Sequence, residues 1–221
     1  MPLLEAIEVR KTYREGGRAY EILKGVDLQV QFGEIVALEG RSGSGKTTLL
    51  SILGCILQPC SGRVILEGRE IDPETAVTAR REYLGFVFQH CNLIPALSAI
   101  HEVSYVLRLK GWRARASREE ASRLLDLVGL NDRKLHFPSD LSGGEKQRVA
   151  IARAMAGSPP LMLADEPTAN LDSETAGEIL DLFRQVARRH NRALLVVTHD
   201  QAVRTIADRV YKLEDGRLQS V

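Results

Sequence analysis

The feature that most constrains this 221-residue chain is a glycine-rich loop between a strand pattern and a helix pattern. Residues 34–39 read Glu-Ile-Val-Ala-Leu-Glu, as in a buried strand, and residues 47–53 are typical of a helix. The loop between them reads Gly-Arg-Ser-Gly-Ser-Gly-Lys-Thr. In this order, the loop presents backbone N–H groups at a helix N-terminus, where the macrodipole favours an anion. The sequence therefore predicts an α/β fold with an anion site at the loop.

The loop fits the P-loop pattern of nucleotide-binding proteins: a glycine, four residues and then Gly-Lys-Thr. Its glycines let N–H groups curl around a polyphosphate, Lys46 reaches the β- and γ-phosphates, and the Thr47 hydroxyl ligates Mg²⁺. An ordinary glycine-rich turn can give the same string, but the flanking strand and helix favour nucleotide binding. The predicted nucleotide-binding residues here are Gly40, Arg41, Ser42, Gly43, Ser44, Gly45, Lys46, Thr47 and Thr48.

The composition argues against several other classes of protein. The chain has 30 basic and 29 acidic residues, so it offers no global field for nucleic acid or anionic lipid. No apolar run approaches the roughly 20 residues that cross a bilayer, and neither end has the pattern of a signal peptide. We therefore expect a cytoplasmic protein that does not bind nucleic acid.

The three cysteines are expected to be reduced thiols. Cys55, Cys60 and Cys91 are odd in number and lack the paired spacing of metal ligands. His90 precedes Cys91, and an imidazolium lowers the pKa of a neighbouring thiol. A reactive Cys91 is therefore the alternative to a solvated or core cysteine.

The order of the remaining patterns suggests an α/β core with a helical insertion. β-rich runs at residues 6–9 and 25–30 predict an antiparallel sheet that leads into the P-loop strand. Further strands are predicted at residues 63–67, 85–88, 161–164, 193–197 and 209–213. Between residues 89 and 159 the apolar residues recur with helical spacing instead.

Basic residues cluster in this helical region, interrupted by Glu119 and Glu120. A solvated helix face is one interpretation, and a surface near anionic headgroups or an acidic partner loop is the other. The cluster comprises Arg108, Lys110, Arg113, Arg115, Arg118 and Arg123.

Two strand ends carry residues suited to phosphate chemistry. The apolar strand 161–164 ends in Asp165 and Glu166, a pair in which one carboxylate can hold Mg²⁺ and the next can polarise the attacking water. His199 follows another strand, at the sheet edge where ligands sit in open α/β folds. Asp172 or Ser173 is a suitable N-cap for the helix predicted over residues 173–189.

With these elements in this order, the sequence resembles the ATP-binding cassette (ABC) family over essentially its whole length. Leu-Ser-Gly-Gly-Glu at residues 141–145 matches the family signature, and it also reads as the start of a serine-capped helix. Position 145 is Glu where many members have Gln, and both occur in the family. The resemblance implies a P-loop NTPase core with an N-terminal antiparallel β subdomain and an inserted α-helical subdomain. It assigns residues 1–88 and 159–221 to the catalytic core and residues 89–158 to the helical subdomain of one nucleotide-binding domain.

The resemblance also implies a role for each matching residue. Tyr13 stacks on adenine, Gln89 contacts Mg²⁺ and the attacking water, Glu166 is the catalytic glutamate, and His199 contacts the γ-phosphate. The implied metal ligands are Thr47, Gln89 and Asp165. In the family, the signature of one subunit binds the γ-phosphate held by the P-loop of the other, and a loop at residues 170–172 crosses between the two sites. The nucleotide contacts implied outside the P-loop are therefore Tyr13, Ser142, Gly143, Gly144 and Asp172.

The implied function is ATP hydrolysis by a head-to-tail homodimer that drives a separate membrane subunit, for export or for periplasmic mechanotransmission. The length and the strings at residues 88–95 and 168–172 are similar to the lipoprotein-release, macrolide-export and cell-division branch. The resemblance implies a second copy of the chain, an integral membrane permease and a periplasmic adaptor as partners. It places the chain in the cytoplasm, on the inner face of the cell membrane. Residues 92–107 are expected to receive the coupling helix of the permease.

Two other functions stay open from the sequence. A soluble cassette ATPase of DNA repair, translation or iron–sulfur assembly shares the motifs, but the chain lacks the long coiled coil or second cassette of the first two. A small-molecule P-loop kinase shares the P-loop, but it gives no reason for the signature or for His199.

Overall fold

The computed structural model describes residues 1–220. The strands are β1 (Leu4–Glu15), β2 (Arg18–Val30), β3 (Ile35–Glu39), β4 (Ser61–Leu66), β5 (Arg69–Glu70), β6 (Leu84–Val87), β7 (Leu161–Asp165), β8 (Ala193–Thr198), β9 (Arg209–Glu214) and β10 (Arg217–Ser220). The α-helices are α1 (Lys46–Leu53), α2 (Ala76–Tyr83), α3 (Ala99–Leu109), α4 (Ala114–Leu127), α5 (Gly143–Met155) and α6 (Ser173–His190).

The central sheet is buried on both faces. Its strand order is β10-β9-β3-β8-β7-β6, and every neighbouring pair is parallel except β9 and β10. Alternate residues of β3 face opposite ways: Ile35 and Ala37 pack in one hydrophobic core, and Val36 and Leu38 pack in the other. Parallel strands covered on both faces are expected to be continuously apolar, as β3, β7 and β8 are. The predicted α/β fold is confirmed.

A second sheet is antiparallel and has the order β2-β1-β4-β5. β1 pairs with both β2 and β4, so the predicted N-terminal antiparallel sheet is present. The strand predicted at residues 63–67 joins this sheet as β4. Leu4, Val9, Leu23 and Val26 are buried in the core that the sheet shares with α1 and with one face of the central sheet. The antiparallel sheet therefore packs against the helix that follows the P-loop.

The region between β6 and β7 is helical, as predicted. Within the described part of the chain, residues 88–160 contain α3, α4 and α5 and no strand. The three helices pack around Val103, Leu107, Leu124 and Val149, which are almost completely buried. This core is continuous with the face of the central sheet opposite α1.

Part of the basic cluster is paired along its own helix. On α4, Arg115 lies 2.8 Å from Glu119, and Arg123 donates two hydrogen bonds to Glu120. Exposed pairs of this kind contribute a few tenths of a kcal/mol each. This part of the cluster is the solvated helix face that one interpretation predicted.

Three elements were not predicted from the sequence: β5, α2 and β10. β10 forms a hairpin with β9 through Asp215 and Gly216, which have φ values of 47° and 75°. Consecutive left-handed residues are typical of a type I′ turn, and Asp-Gly is a preferred sequence for it. The turn signal is thus present, but β10 is a short and largely exposed edge strand without apolar alternation.

Candidate functional site

The P-loop opens into a cleft of about 620 Å³ at the carboxyl edge of the central sheet. Apart from Ile22, every residue that lines it was predicted from the sequence as a site residue. The lining comprises Tyr13, Ile22, Ser42, Gly43, Gly45, Lys46, Thr47, Thr48, Gln89, Glu166 and His199. The fold therefore brings segments separated by up to 186 residues, from Tyr13 to His199, to one place.

The loop conformation requires glycine at specific points. Gly43 and Gly45 have φ values of 79° and 99°, in the left-handed region that side chains disfavour. A Cβ atom on Gly45 would lie 2.9 Å from Ile22 Cγ2 and 3.2 Å from Leu23 Cδ2. The loop thus packs tightly against β2, and this contact explains why Ile22 reaches the cleft. No local motif marks Ile22, so the sequence did not single it out.

The loop also has hydrogen-bond donors suited to a polyphosphate: the Ser44 hydroxyl and the N–H groups at the start of α1. The Ser44 hydroxyl oxygen is one of two buried side-chain polar atoms without a hydrogen-bond partner in the described part of the chain. Buried polar groups are almost always paired, so an unpaired hydroxyl in this loop fits a site that accepts an anion. Gly45 is the N-cap residue of α1, and no side chain accepts from the N–H groups of the first turn of the helix. These N–H groups can therefore donate to a phosphate.

Lys46 is held inside the loop at the base of the cleft. Its Nζ donates to the carbonyl oxygens of Gly40 at 2.7 Å and Arg41 at 3.2 Å. It also lies 3.9 Å from Glu166 Oε1, and only 8% of the lysine is exposed. The ammonium is therefore positioned between the P-loop and the end of β7 without any ligand.

Thr47 and Asp165 place two oxygen atoms close together beside Lys46. Thr47 Oγ1 lies 3.5 Å from Asp165 Oδ1. Burial raises the pKa of Asp165, and the Glu166 charge adds to the shift, whereas the Thr47 hydrogen bond and Lys46 oppose it. A divalent cation would favour the ionised carboxylate, and Mg²⁺ is usually bound by one or two protein oxygens together with phosphate and water. The residues fit Mg²⁺ held in that way. No cluster of three acidic, His or Cys ligands occurs among residues 1–220.

Glu166 and His199 are in direct contact at the ends of β7 and β8. Glu166 Oε2 accepts hydrogen bonds from the Thr198 hydroxyl at 3.3 Å and from the His199 N–H at 3.2 Å, and it lies 2.8 Å from His199 Nδ1. The backbone of Glu166 has a φ of 45°, and its N–H donates to Val197. Strained conformations of this kind concentrate at functional sites. The carboxylate is thereby fixed at the cleft with Oε1 towards Lys46.

Gln89 and Tyr13 line the cleft from two other elements. Gln89 lies in the turn directly after β6, and Tyr13 lies on β1. Tyr13 is 42% exposed, and the Lys11 ammonium lies 5.7 Å from its ring centroid. An exposed aromatic face at the cleft can stack on a base.

The predicted contacts of the signature do not lie in this cleft. None of Ser142, Gly143, Gly144 and Asp172 is among the described residues that line it. Gly144 instead faces α6, where a Cβ atom would lie 2.5 Å from Thr175 Cγ2. Both helices are capped at this end: Ser142 Oγ accepts from the N–H of Glu145, and Asp172 accepts from the N–H of Thr175. The N-terminus of α5 is therefore formed and capped, but within one chain it does not line the cleft at the P-loop.

The cysteines are free thiols, as predicted. Burial raises the pKa of Cys91 despite the nearby Arg153 and Lys146, and burial raises that of Cys55 to about 11. A raised pKa disfavours the thiolate, so the alternative of a reactive Cys91 is not supported.

Within residues 1–220, none of the helices combines the length and hydropathy that a membrane crossing requires.

Comparisons with known proteins agree with this geometry. The sequence model described as "ABC transporter" matches residues 23–169. The chain is 42% identical to the lipoprotein-releasing system ATP-binding protein LolD of Bdellovibrio bacteriovorus, over 98% of this chain and 100% of that protein. It is 45% identical to the macrolide export ATP-binding/permease protein MacB of Rhodopirellula baltica, over 97% of this chain. It spans only about a third of that relative, 32% of its length.

A solved structure gives the same result at the level of the fold. The dimeric post-hydrolysis ATP-binding cassette MJ0796, bound to ADP and Pi, superimposes with a TM-score of 0.91. It is 38% identical, and the match covers 99% of this chain and 97% of that chain. The motifs, the cleft and these similarities lead to one conclusion. The chain belongs to the ABC transporter family and is one of its ATP-binding cassettes.

Proposed function

We propose that the chain binds and hydrolyses ATP as a head-to-tail homodimer and thereby drives a separate membrane permease. The polyphosphate of ATP would lie on the P-loop N–H groups and Lys46, with adenine on Tyr13. Lys46 balances charge on the transferring phosphoryl group, and such electrostatic stabilisation is the main source of catalysis in phosphoryl transfer. The cleft supports this proposal because it holds these groups together with Glu166 and His199.

Glu166 is the proposed group that polarises the attacking water, and His199 is its partner at the γ-phosphate. The 2.8 Å contact between Glu166 and His199 supports this assignment, because the same carboxylate also lies 3.9 Å from Lys46. Mg²⁺, when bound by Thr47, Asp165 and Gln89, would supply additional positive charge at the phosphates. Gln89 lies in the turn after β6, where it can orient both the ion and the water.

The observation that carries the dimer is the separation of the two phosphate motifs. The N-terminus of α5 offers backbone N–H groups and the Ser142 hydroxyl, yet it lies outside the cleft of its own chain. Two copies in head-to-tail arrangement would bring this end, with Gly143 and Gly144, onto the nucleotide of the other copy. Asp172, which caps α6 beside Gly144, would lie at the same interface. The dimeric cassette MJ0796 supports this arrangement by similarity.

The variant Glu166→Gln tests this function. It keeps the side-chain shape but removes the charge that polarises water, so ATP should still bind while turnover falls by about 100-fold or more. Nucleotide should then accumulate and hold the dimer closed. Size-exclusion chromatography with light scattering, with and without ATP and Mg²⁺, measures the result.

The matched control is Glu178→Gln, which changes an exposed glutamate that pairs with Arg148 of α5. It should retain turnover and show no ATP-stabilised dimer. A Glu166→Gln protein that stays monomeric with ATP would contradict the shared site.

The proposed permease partner has a candidate docking groove. We divide the chain into a core of residues 1–88 and 159–221 and a helical subdomain of residues 89–158. A groove of about 380 Å³ lies at their junction, and its lining includes Phe86 and Phe88 of the core and Val106 and Leu109 of the helical subdomain. The sequence had suggested residues 92–107 as the docking segment. Because this groove is lined by residues of β6 and of the end of α3, we propose that the permease docks closer to these two elements.

The names of the LolD and MacB relatives support a transporter. We therefore place the chain in the cytoplasm, held peripherally on the inner face of the membrane by the permease, with a periplasmic adaptor as a further partner. Tagged Glu166→Gln protein, purified with ATP from detergent-solubilised membranes, should bring down a stoichiometric multi-span chain. Recovery of ribosomal, nucleic-acid or other soluble components alone would favour the soluble cassette instead.

A further inference from the structure

The turn that follows Gln89 is conformationally strained. Cys91 and Asn92 are consecutive non-glycine residues with φ values of 58° and 47°. Left-handed backbone costs an L-residue free energy, and two in succession are uncommon outside turns that the surroundings hold in place. The position of Gln89 in the cleft therefore depends on whatever stabilises this turn.

Arg153 stabilises the turn from the far end of α5. Its guanidinium donates to the carbonyl oxygens of both strained residues, Cys91 and Asn92, with the Asn92 contact at 2.7 Å. It also donates at 3.0 Å to Glu102, which is only 2% exposed. Glu102 in turn accepts a hydrogen bond from the N–H of Ile94, two residues after Asn92. One buried ion pair thus binds the backbone at residues 91, 92 and 94.

A second contact ties the same turn to α5. Cys91 Sγ lies 2.9 Å from Gln147 Oε1, and Gln147 is 2% exposed. Gln147 and Arg153 both belong to α5, the helix that begins at Gly143. At 1.5 Å rise per residue, Arg153 is about 15 Å from the signature end of this helix. The turn after Gln89 is therefore attached to the helix that presents the signature.

We propose that Arg153, held by Glu102, is a positioning residue for ATP hydrolysis. It keeps the turn in the conformation that directs Gln89 into the cleft, and it makes the turn move with the signature helix. This inference rests on the proposed ATPase function, but the contacts themselves can be tested without turnover. Arg153 does not line the cleft, so its loss should lower kcat and leave ATP affinity largely unchanged.

Two variants separate this role from simple stability. Arg153→Lys keeps the charge beside Glu102 but lacks the planar fork that reaches several acceptors at once. The double variant Glu102→Gln with Arg153→Met removes both buried charges together, which avoids leaving one charge unpaired, and Gln keeps an acceptor for Ile94. The control is Arg148→Lys, because Arg148 also lies on α5 and also bridges a carbonyl and a carboxylate, those of Val128 and Glu178.

The first measurement is the rate at which Cys91 reacts with a maleimide, followed by peptide mass spectrometry. Cys55 and Cys60 in the same sample serve as internal references. Release of the turn should raise Cys91 labelling about threefold or more in both Arg153 variants, because local opening exposes the thiol. Arg148→Lys should label as the wild type does. Unchanged Cys91 labelling in both Arg153 variants would overturn the proposal.

The second measurement is steady-state ATPase activity together with the Kd of a fluorescent ATP analogue. Both Arg153 variants should lose about tenfold in kcat from misplacement of Gln89, with Kd within about twofold of the wild type. Equal losses in Arg148→Lys, or a loss confined to Kd, would overturn the positioning role. A wild-type chain that fails to hydrolyse ATP would refute the proposed function instead, and the labelling result would still decide whether Arg153 holds the turn.

Discussion

The cleft and the signature end of α5 are both built for phosphate, but they are satisfied in different ways. At and beside the cleft, Lys46 is bound by loop carbonyls, the P-loop residue Ser44 has an unpaired hydroxyl, and burial raises the pKa of Asp165. At the signature end, Ser142 and Glu145 form a reciprocal capping box. The first site thus has polar groups that are incompletely satisfied within one chain, whereas at the signature end Ser142 and Glu145 satisfy each other within the chain.

This difference shows where the two regions obtain their stability. The cleft is assembled from strands and loops that meet only in the folded chain, so its geometry depends on tertiary packing. The signature end is stabilised by hydrogen bonds within three residues of each other. Substitutions should therefore affect binding and folding together in the cleft, but separately at the signature.

The largest expected effect is that of Gly45→Ala in the cleft. The φ of 99° disfavours alanine, and the new Cβ would lie 2.9 Å from Ile22, so we expect a loss of about 3 kcal/mol in the free energy of unfolding. ATP binding should be lost as well, because the loop would change shape. Urea denaturation and nucleotide titration measure the two effects.

Gly177→Ala is the matched control for that substitution. Gly177 lies in α6, and outside its two neighbours and the adjacent backbone of the helix no heavy atom lies within 4 Å of the place that a Cβ atom would occupy. Alanine should therefore stabilise the helix by about 0.5–1 kcal/mol. A Gly45→Ala protein as stable as the wild type would show that the loop is not constrained by β2.

The next largest effect is expected for Lys46→Met. Methionine retains the unbranched apolar chain but removes the ammonium, and charge-assisted hydrogen bonds to phosphate are worth about 1.5–3 kcal/mol. ATP affinity should fall about 100-fold by fluorescent-analogue titration. Lys212→Met, which removes an exposed lysine paired with Glu214, should bind ATP normally. Equal affinity in both variants would mean that the cleft does not hold the phosphates.

Ser142→Ala should have a smaller and separable effect. Loss of an N-cap hydroxyl costs about 1 kcal/mol in the free energy of unfolding. ATP should bind to the single chain with unchanged affinity, because Ser142 is outside the cleft, but hydrolysis by the dimer should fall. Ser139→Ala, which removes an exposed hydroxyl bonded to Asp140, is the control for folding. Weakened ATP binding to monomeric Ser142→Ala protein would contradict the separation of the two regions.

The smallest effect concerns pH, and its sign should differ between the regions. Because burial raises the pKa of Asp165, its ionised form destabilises the fold above that pKa, and Asp165→Asn should add about 0.5–1 kcal/mol at neutral pH. This gain should disappear as pH falls through the raised pKa towards 3.8, the ordinary value.

Glu145 should behave in the opposite way. The Ser142 N–H and Arg133 lower the pKa of Glu145, so its charge stabilises the fold above its ordinary pKa. That contribution should be lost as pH falls through the lowered pKa. Glu145→Gln should therefore destabilise the chain at neutral pH, and thermal unfolding between pH 8 and pH 4 compares the two variants. Stability changes of the same sign in Asp165→Asn and Glu145→Gln at neutral pH would contradict this difference between the two regions.

The sequence named ten of the eleven residues that line the cleft, because each of the motifs that contain them is local. Lys46, Glu166 and His199 all stand at strand ends or in a glycine loop, where spacing along the chain reveals position. Ile22 was missed because only its contact with Gly45 brings it to the cleft.

The sequence was less informative where function depends on distant contacts between ordinary residues. Glu102 and Arg153 are separated by 51 residues and read as normal helix residues, yet they form the buried pair behind the turn after Gln89. β10 was missed because its edge position leaves it without the apolar alternation that marks buried strands. Local chemistry was thus predictable, whereas long-range pairing required the fold.

The capping box of α5 has a kinetic consequence for assembly. Ser142 and Glu145 order the start of the helix without a nucleotide or a second chain, so its conformational entropy is already lost during folding. Two copies would then meet as nearly rigid surfaces, and association does not have to wait for a helix end to form. Pre-organised interfaces of this kind associate at about 10⁵–10⁷ M⁻¹ s⁻¹, so the lifetime of the closed dimer would be governed by dissociation.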